Sequence, residues 1–176
     1  MTFWNRLEQH FKLNWFRALE RMLGKPAQKP EEVDLDRVER ILVIRQHDML
    51  GDFILSTPVF RALRERFPKA HIAALTRNYF ADVARRNAYV DDVLVLHEDG
   101  KNWRPRELWS FWRRLRSGWD LTIVVNTVSH SLTSDMLAHL SKARHILGSD
   151  HIQFPGTTRN FMYHLEAPYA SEPKQQ

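Results

Sequence analysis

The sequence predicts an α/β fold: a single Rossmann-like domain with a mostly parallel sheet, preceded by an amphipathic helix. Apolar runs of strand length alternate with segments whose apolar residues recur every three or four positions, and this alternation gives a parallel sheet with right-handed crossovers. Residues 41–44 are apolar and largely β-branched, as in a strand buried on both faces. A polar turn at 45–50 then leads through Gly51 into a helical pattern that reaches Phe67, which is the unit that opens a doubly wound domain.

The other elements follow from the same two periodicities. The domain is predicted to cover residues 38–165, between a linker at 25–37 and a linker or tail at 166–176. Strands are predicted at 41–44, 71–76, 90–96, 121–126 and 144–147, and helices at 1–24, 51–67, 79–86, 103–118 and 131–140.

Composition limits the class of protein. With 176 residues, 43% of them hydrophobic, the chain has the size and apolar content of one domain. The absence of cysteine excludes disulfide scaffolds and thiolate metal sites. No uncharged apolar run is long enough for a transmembrane helix, and no signal peptide is recognisable. Residues 1–30 hold six Lys/Arg and two Glu, which gives +4 of the net +5. We therefore predict no nucleic-acid partner, because the domain itself is nearly neutral.

The first helix, 1–24, has two possible roles. An apolar stripe runs along it, with most of its basic residues elsewhere, and this pattern is typical of a helix lying in an anionic membrane interface. The alternative is a helix whose apolar face packs on its own domain or on a partner. The sequence favours neither. The stripe consists of Phe3, Leu7, Phe11, Trp15, Ala18 and Met22.

The helix at 103–118 is also rich in tryptophan. Its predicted apolar stripe consists of Leu108, Trp112, Leu115 and Trp119, with arginines elsewhere. For this helix, packing against the sheet is favoured over a second contact with lipid.

Several common site motifs are absent. The six glycines do not form the G-x-G-x-x-G dinucleotide fingerprint, and there is no Walker A or H-E-x-x-H motif. The nine histidines form no recognisable ligand cluster, there is no D-x-D pair, and Ser129-His130-Ser131 is not by itself a triad. We therefore predict neither a metal nor a cofactor.

One long motif carries a resemblance. The run ILVIRQHDMLGDFILSTPVFRALRERFP, residues 41–68, resembles the start of the ADP-heptose:lipopolysaccharide heptosyltransferases, glycosyltransferase family 9. Residues 89–94 and 143–148 are also similar to that family, so the resemblance covers about 38–148. This region is the acceptor half of such an enzyme, which implies half of a GT-B architecture. The donor, ADP-heptose, would be bound mostly by a C-terminal domain that these residues do not supply.

The resemblance also implies site residues. Asp52, in the Gly-Asp pair, would be the catalytic base that takes the proton of the acceptor hydroxyl. Gly51 would allow close approach of the acceptor. The first helical turn keeps Asp52 ionised but lowers its basicity. For neighbouring Asp48, a solvated carboxylate is favoured over one that repels Asp52. The other predicted substrate-binding residues are Arg45, Gln46, Arg77 and Asn126, with Arg104 as a further candidate.

These observations give three hypotheses about function. The first is the acceptor-binding half of an inverting glycosyltransferase that transfers heptose to a lipopolysaccharide core. That protein would be cytoplasmic and peripheral on the inner face of the inner membrane. The second is a stand-alone, non-catalytic module that binds a saccharide or a partner protein. A nucleotide-dependent oxidoreductase fragment is a weaker third reading, disfavoured by the missing glycine fingerprint.

Overall fold

The computed structural model describes residues 3–46, 50–97, 103–125, 131–150 and 156–168, with side chains from Leu13 onward. Its centre is a six-stranded sheet in which every neighbouring pair is parallel, in the order β3-β2-β1-β4-β5-β6. The predicted α/β, Rossmann-like class is confirmed. The strands are β1 Arg40–Ile44, β2 His71–Arg77, β3 Asp92–Leu96, β4 Leu121–Val124, β5 His145–Ser149 and β6 Leu165–Ala167.

The helices lie on both faces of this sheet. They are α1 Phe3–Leu23, α2 Leu50–Leu55, α3 Thr57–Arg66, α4 Ala81–Arg85, α5 Pro105–Leu115 and α6 Leu132–Leu140, with short 3₁₀ turns at Pro30–Glu32, Leu35–Arg37 and Asn78–Phe80. None of the helices in the described part of the chain combines the length and apolarity needed to cross a membrane.

The helix predicted at 51–67 is two helices. It breaks at Ser56, whose hydroxyl donates to the Phe53 carbonyl at 2.7 Å, and Thr57 Oγ1 donates in the same way to the Ile54 carbonyl at 2.7 Å. Pro58 follows within the first turn of α3 and has no N–H to continue the ladder of α2. The break leaves α2 as a separate short segment between β1 and α3.

Two apolar clusters fill the space on either side of the sheet. Alternate residues of a strand point to opposite faces, so Ile41 and Val43 of β1 join one cluster, whereas Leu42 and Ile44 join the other. The first cluster contains residues of α2, α3 and α4. The second contains residues of α5 and α6, and the partly buried side chains of α1 pack against it.

α1 packs on the domain through one side of its apolar face. Phe16, Leu19 and Leu23 contact the second cluster. Of the predicted stripe, Trp15 and Met22 are 56% and 79% exposed. Leu19 follows Trp15 by four residues and precedes Met22 by three, so the covered and uncovered side chains share one broad apolar face.

The segment predicted as a linker, 25–37, is held against the domain. The Lys25 N–H donates to the Phe161 carbonyl at 2.6 Å, and the Gln28 N–H donates to the His164 carbonyl at 2.8 Å. The Gln28 side-chain carbonyl also lies 2.8 Å from Nδ1 of His145. Its polar, proline-bearing sequence suggests a free linker, but its backbone groups bond the chain that leads into β6. β6 in turn extends the domain to Ala167, beyond the predicted boundary at 165.

Candidate functional site

The sheet reverses its strand order between β1 and β4. These strands are neighbours, and the chain leaves β1 toward α2 but leaves β4 toward α6. A crevice at the carboxyl ends of two such strands is where open α/β sheets bind ligands. The residues that follow β1 and β4 therefore define the candidate site. At this edge the Arg45 N–H donates to the Leu75 carbonyl at 2.9 Å, and the Val125 N–H donates to the Ile44 carbonyl at 3.0 Å.

Arg45 lies inside this edge rather than on its surface. Its side chain is 1% exposed, and Nη1 donates to the Val125 carbonyl at 2.6 Å. An arginine guanidinium stays charged in proteins, so this contact places a fixed positive charge between the ends of β1 and β4. Arg45 follows β1 directly, and its side chain links the ends of β1 and β4.

Gln46 connects the same loop to α6. It is 2% exposed, and Nε2 donates to Ser131 Oγ at 3.1 Å. Ser131 is the N-cap of α6, and its hydroxyl oxygen also accepts from the Ser134 N–H at 3.4 Å. Arg45 and Gln46 thus fix β4 and α6, respectively, relative to β1.

Asp52 lies in the first turn of α2 and is partly buried. Its carboxylate makes no hydrogen bond or ion pair with any other residue that the structure describes. Gly51 is exposed, and a Cβ built there would meet no atom within 4 Å. No described residue therefore engages the Asp52 carboxylate at the start of α2.

A second carboxylate near the start of α6 is already engaged. Asp135 is 1% exposed and accepts a hydrogen bond from the hydroxyl of Tyr163, which is equally buried. Burial, followed by the negative charge of Asp135, raises the pKa of Tyr163 far above its usual value. Tyr163 therefore stays protonated as a donor, and Asp135 is occupied in holding it. This leaves Asp52 as the better candidate base of the two.

The remaining predicted residues follow other strands or lie on other helices. Arg77 ends β2, the strand beside β1, and is partly buried at the same edge of the sheet. Arg104 is exposed at the N-cap of α5, where its N–H donates to Glu107 at 3.4 Å. Asn126 and Asp48 lie outside the described residues.

Two buried hydroxyl residues at this edge were not predicted. Ser131 accepts a hydrogen bond from the side chain of Gln46. Its position directly before an apolar helix is the sequence signal that could have identified it. Thr76, in β2, is fully buried, and its hydroxyl has no partner among the residues the structure describes. No sequence pattern marks Thr76, because a threonine is ordinary in a strand. Within the described ranges, no group of three His, Asp or Glu side chains is arranged to hold a metal ion.

Known proteins share the fold of this chain. A glycosyltransferase of family 9 from Veillonella parvula matches with a TM-score of 0.57 and 22% identity, over 85% of this chain and 39% of its own. The E. coli heptosyltransferase WaaC, in its structure with ADP-2-deoxy-2-fluoro heptose, matches with a TM-score of 0.60 and 17% identity, over 77% of this chain and 44% of its own. The chain has the fold of part of a family-9 glycosyltransferase. The resemblance predicted from the motif at 41–68 is thereby confirmed.

Sequence comparison agrees over a shorter region. A putative glycosyltransferase from Haemophilus influenzae is 40% identical over 58 residues, which are 33% of this chain and 16% of that protein. No protein-family model matches the sequence. The chain thus spans less than half the length of the solved structures it resembles and a smaller share of the curated relative.

Proposed function

We propose that this chain is the acceptor-binding half of an inverting glycosyltransferase that transfers heptose from ADP-heptose to a lipopolysaccharide core. The observation that carries the proposal is the carboxylate of Asp52, which is free of described partners beside the crevice between β1 and β4. The fold similarity to a family-9 enzyme and to a heptosyltransferase supports it.

In this proposal the acceptor hydroxyl lies against Asp52. The carboxylate takes the hydroxyl proton as the new C–O bond forms, while the nucleotide departs from the opposite face of the sugar carbon. A base and a leaving group on opposite faces suit two facing domains, so the donor would be held by a domain other than this one.

In this proposal, the buried side chains of Arg45 and Gln46 hold the backbone of the site in place. Arg45 holds the end of β4 through the Val125 carbonyl, and Gln46 holds Ser131 at the start of α6. Both contacts fix the backbone that surrounds the acceptor. Arg77, at the end of the neighbouring strand, supplies a cation for the carboxylate and phosphate groups of a lipopolysaccharide core. The guanidinium of Arg45 adds positive charge to the same edge.

We further propose that the protein is cytoplasmic and peripheral on the inner face of the inner membrane, attached through residues 1–24. The exposed part of the α1 stripe supports this, because Trp15 and Met22 are left uncovered by the domain. Exposed Arg17 and Arg21 lie on the same helix, and basic residues favour an anionic lipid surface.

Calorimetry with the 176-residue chain tests the acceptor assignment. We expect a lipopolysaccharide core saccharide that lacks heptose to bind, and ADP-heptose to bind at least about tenfold more weakly, a difference of about 1.4 kcal/mol. Arg77→Gln is expected to weaken binding of the core saccharide, whereas Arg85→Gln, an exposed arginine of α4 paired with Asp82, serves as the matched control. Preferential binding of the nucleotide sugar would contradict the acceptor assignment. Binding of neither ligand would favour a module for another saccharide or for a protein.

A further inference from the structure

α5 carries an exposed stripe that the core does not use. Arg106, Trp109, Arg113 and Arg116 follow one another at three or four residues, so they lie on one face of the helix. All four are exposed, Trp109 to 62%, and Leu108 beside them is 41% exposed. We call these four residues the α5 stripe.

The arginines of the α5 stripe have no ion-pair partner among the residues that the structure describes. The guanidinium of Arg113 lies over the Trp109 ring, 4.8 Å from its centroid. The neighbouring Arg114, which points elsewhere, is paired with Asp92 at 2.6 Å. The stripe therefore presents an aromatic side chain among three arginines without a described ion-pair partner.

On the opposite face of the sheet, most exposed arginines are paired with acidic residues. There, Arg61 is paired with Glu65 at 2.7 Å, Arg66 with Asp36 at 3.3 Å and Arg85 with Asp82 at 2.8 Å. Exposed Arg86, at the end of α4, has no ion-pair partner among the described residues. The contrast between the two faces concerns charge pairing, since exposed arginines occur on both.

α5 shares its face of the sheet with α1. Phe111 and Leu115 of α5 belong to the second apolar cluster, against which Phe16 and Leu19 of α1 also pack. Both helices expose a tryptophan on the side away from the sheet, Trp15 in α1 and Trp109 in α5. This face therefore combines exposed aromatic groups with arginines that no described residue pairs.

We propose that the α5 stripe is a second contact with an anionic phospholipid surface, in addition to α1. Tryptophan is favoured at the membrane–water interface, and arginine binds lipid phosphates in bidentate geometry. With α1 and α5 both in contact, the domain lies on the membrane by this face of its sheet. The proposal extends the membrane attachment proposed for residues 1–24 and does not depend on glycosyl transfer.

Sedimentation with vesicles tests the stripe in the full chain. The vesicles contain phosphatidylglycerol and phosphatidylcholine in equal amounts, or phosphatidylcholine alone. Each basic residue near an anionic surface contributes roughly fivefold to the partition coefficient, so the triple variant R106Q/R113Q/R116Q is expected to lose about 10²-fold. Trp109→Ser is expected to lose about tenfold, because it removes an apolar anchor without changing the charge.

Matched variants on the other face of the sheet distinguish a specific lipid-contact surface from a general effect of net charge. R61Q/R85Q/R86Q removes the same number of exposed charges, and Tyr79→Ser removes an aromatic group that is 70% exposed. These variants are expected to lose about threefold or less, since their charges lie farther from the lipid than a Debye length. Equal losses for the two triple variants would overturn the proposal in favour of net charge alone.

Two further outcomes are informative. If Trp15→Ser weakens binding and the α5 variants do not, then α1 alone meets the lipid and the α5 proposal falls. If the parent chain does not bind anionic vesicles, both membrane contacts are refuted, whereas the glycosyl-transfer proposal is unaffected. Circular dichroism of each variant checks that the fold is retained, which is expected because every substituted side chain is exposed.

Discussion

Acid should destabilise this domain through His164. The side chain is 8% exposed, and its Nδ1 accepts a hydrogen bond from the Ile146 N–H at 3.0 Å, so that nitrogen must be unprotonated in the fold. Burial, followed by the positive charge of Lys25 and of nearby basic groups, lowers the pKa of His164 to about 4. Protonation would place a second proton on a ring whose acceptor is already in use.

The sign and size of the effect follow from linkage. The pKa of His164 is lower in the folded state than the usual histidine value of 6.5. The unfolded chain therefore binds the proton first as pH falls. The stabilisation is complete above about pH 6.5 and is lost progressively toward pH 4. The shift corresponds to about 3 kcal/mol in all, of which roughly 2 kcal/mol is lost between pH 7 and pH 5. Burial also lowers the pKa of His139, which adds to the loss with the same sign.

Urea unfolding at a series of pH values measures this contribution. His164→Asn is the matched variant, because its side-chain oxygen can accept from the Ile146 N–H in place of Nδ1 and does not titrate. We expect the variant to lose about 2 kcal/mol less than the parent between pH 7 and pH 5. An identical pH dependence in the two proteins, or a parent that gains stability on acidification, would refute the reasoning.

Two further predictions concern the hydrogen bond of Arg45 to the Val125 carbonyl and the first helix. Arg45→Leu leaves the Val125 carbonyl without its donor at the strand edge and should lower the free energy of unfolding by about 1–3 kcal/mol. In the same urea assay, exposed Arg86→Leu should change it by less than about 0.5 kcal/mol, and equal effects would remove the bracing role. Deleting residues 1–24 uncovers the surface under Phe16, Leu19 and Leu23 and should cost at least about 3 kcal/mol, at roughly 1 kcal/mol per half-buried side chain. An unchanged melting temperature after the deletion would show that α1 does not contribute to the core.

The sequence predicts the sheet well because its strands are buried. Residues 41–44 and 121–124 are buried on both faces and apolar apart from Thr122, so they stand out without any knowledge of their neighbours. β6 was missed because three residues with one buried side chain carry no periodic signal. Its position depends on the pairing of Leu147 with Leu165, a contact that only the folded chain makes.

Periodicity also cannot show which side of a broad apolar helix face the domain covers. The stripe through Trp15 and Met22 is regular, yet the domain packs on Phe16, Leu19 and Leu23. Burial depends on the complementary surface, which in this case is formed by residues far along the chain. For example, Glu20 accepts a hydrogen bond from Thr158 at 2.7 Å.

The motif predicts which chain segment carries the candidate site, but not which contacts its side chains make. The motif places Arg45 and Asp52 at the end of β1, and the structure has them there. That Arg45 is buried follows from the Val125 carbonyl on the neighbouring strand, a partner 80 residues away that spacing cannot reveal. Gln46 is likewise fixed by Ser131, 85 residues away. A motif gives the location of a residue, whereas the direction of its side chain depends on tertiary contacts.

The most direct test of the proposed function is the turnover of Asp52→Asn in a two-domain enzyme that joins this chain to a donor-binding domain. Asparagine conserves the volume of a partly exposed side chain, so the fold and acceptor binding should be retained. Because an amide cannot take the hydroxyl proton, heptose transfer should fall by roughly 10²-fold or more, the usual contribution of a positioned base. Glu65→Gln, which neutralises an exposed carboxylate of α3, should leave turnover unchanged. Near-normal transfer by Asp52→Asn would contradict the assignment of Asp52 as the base.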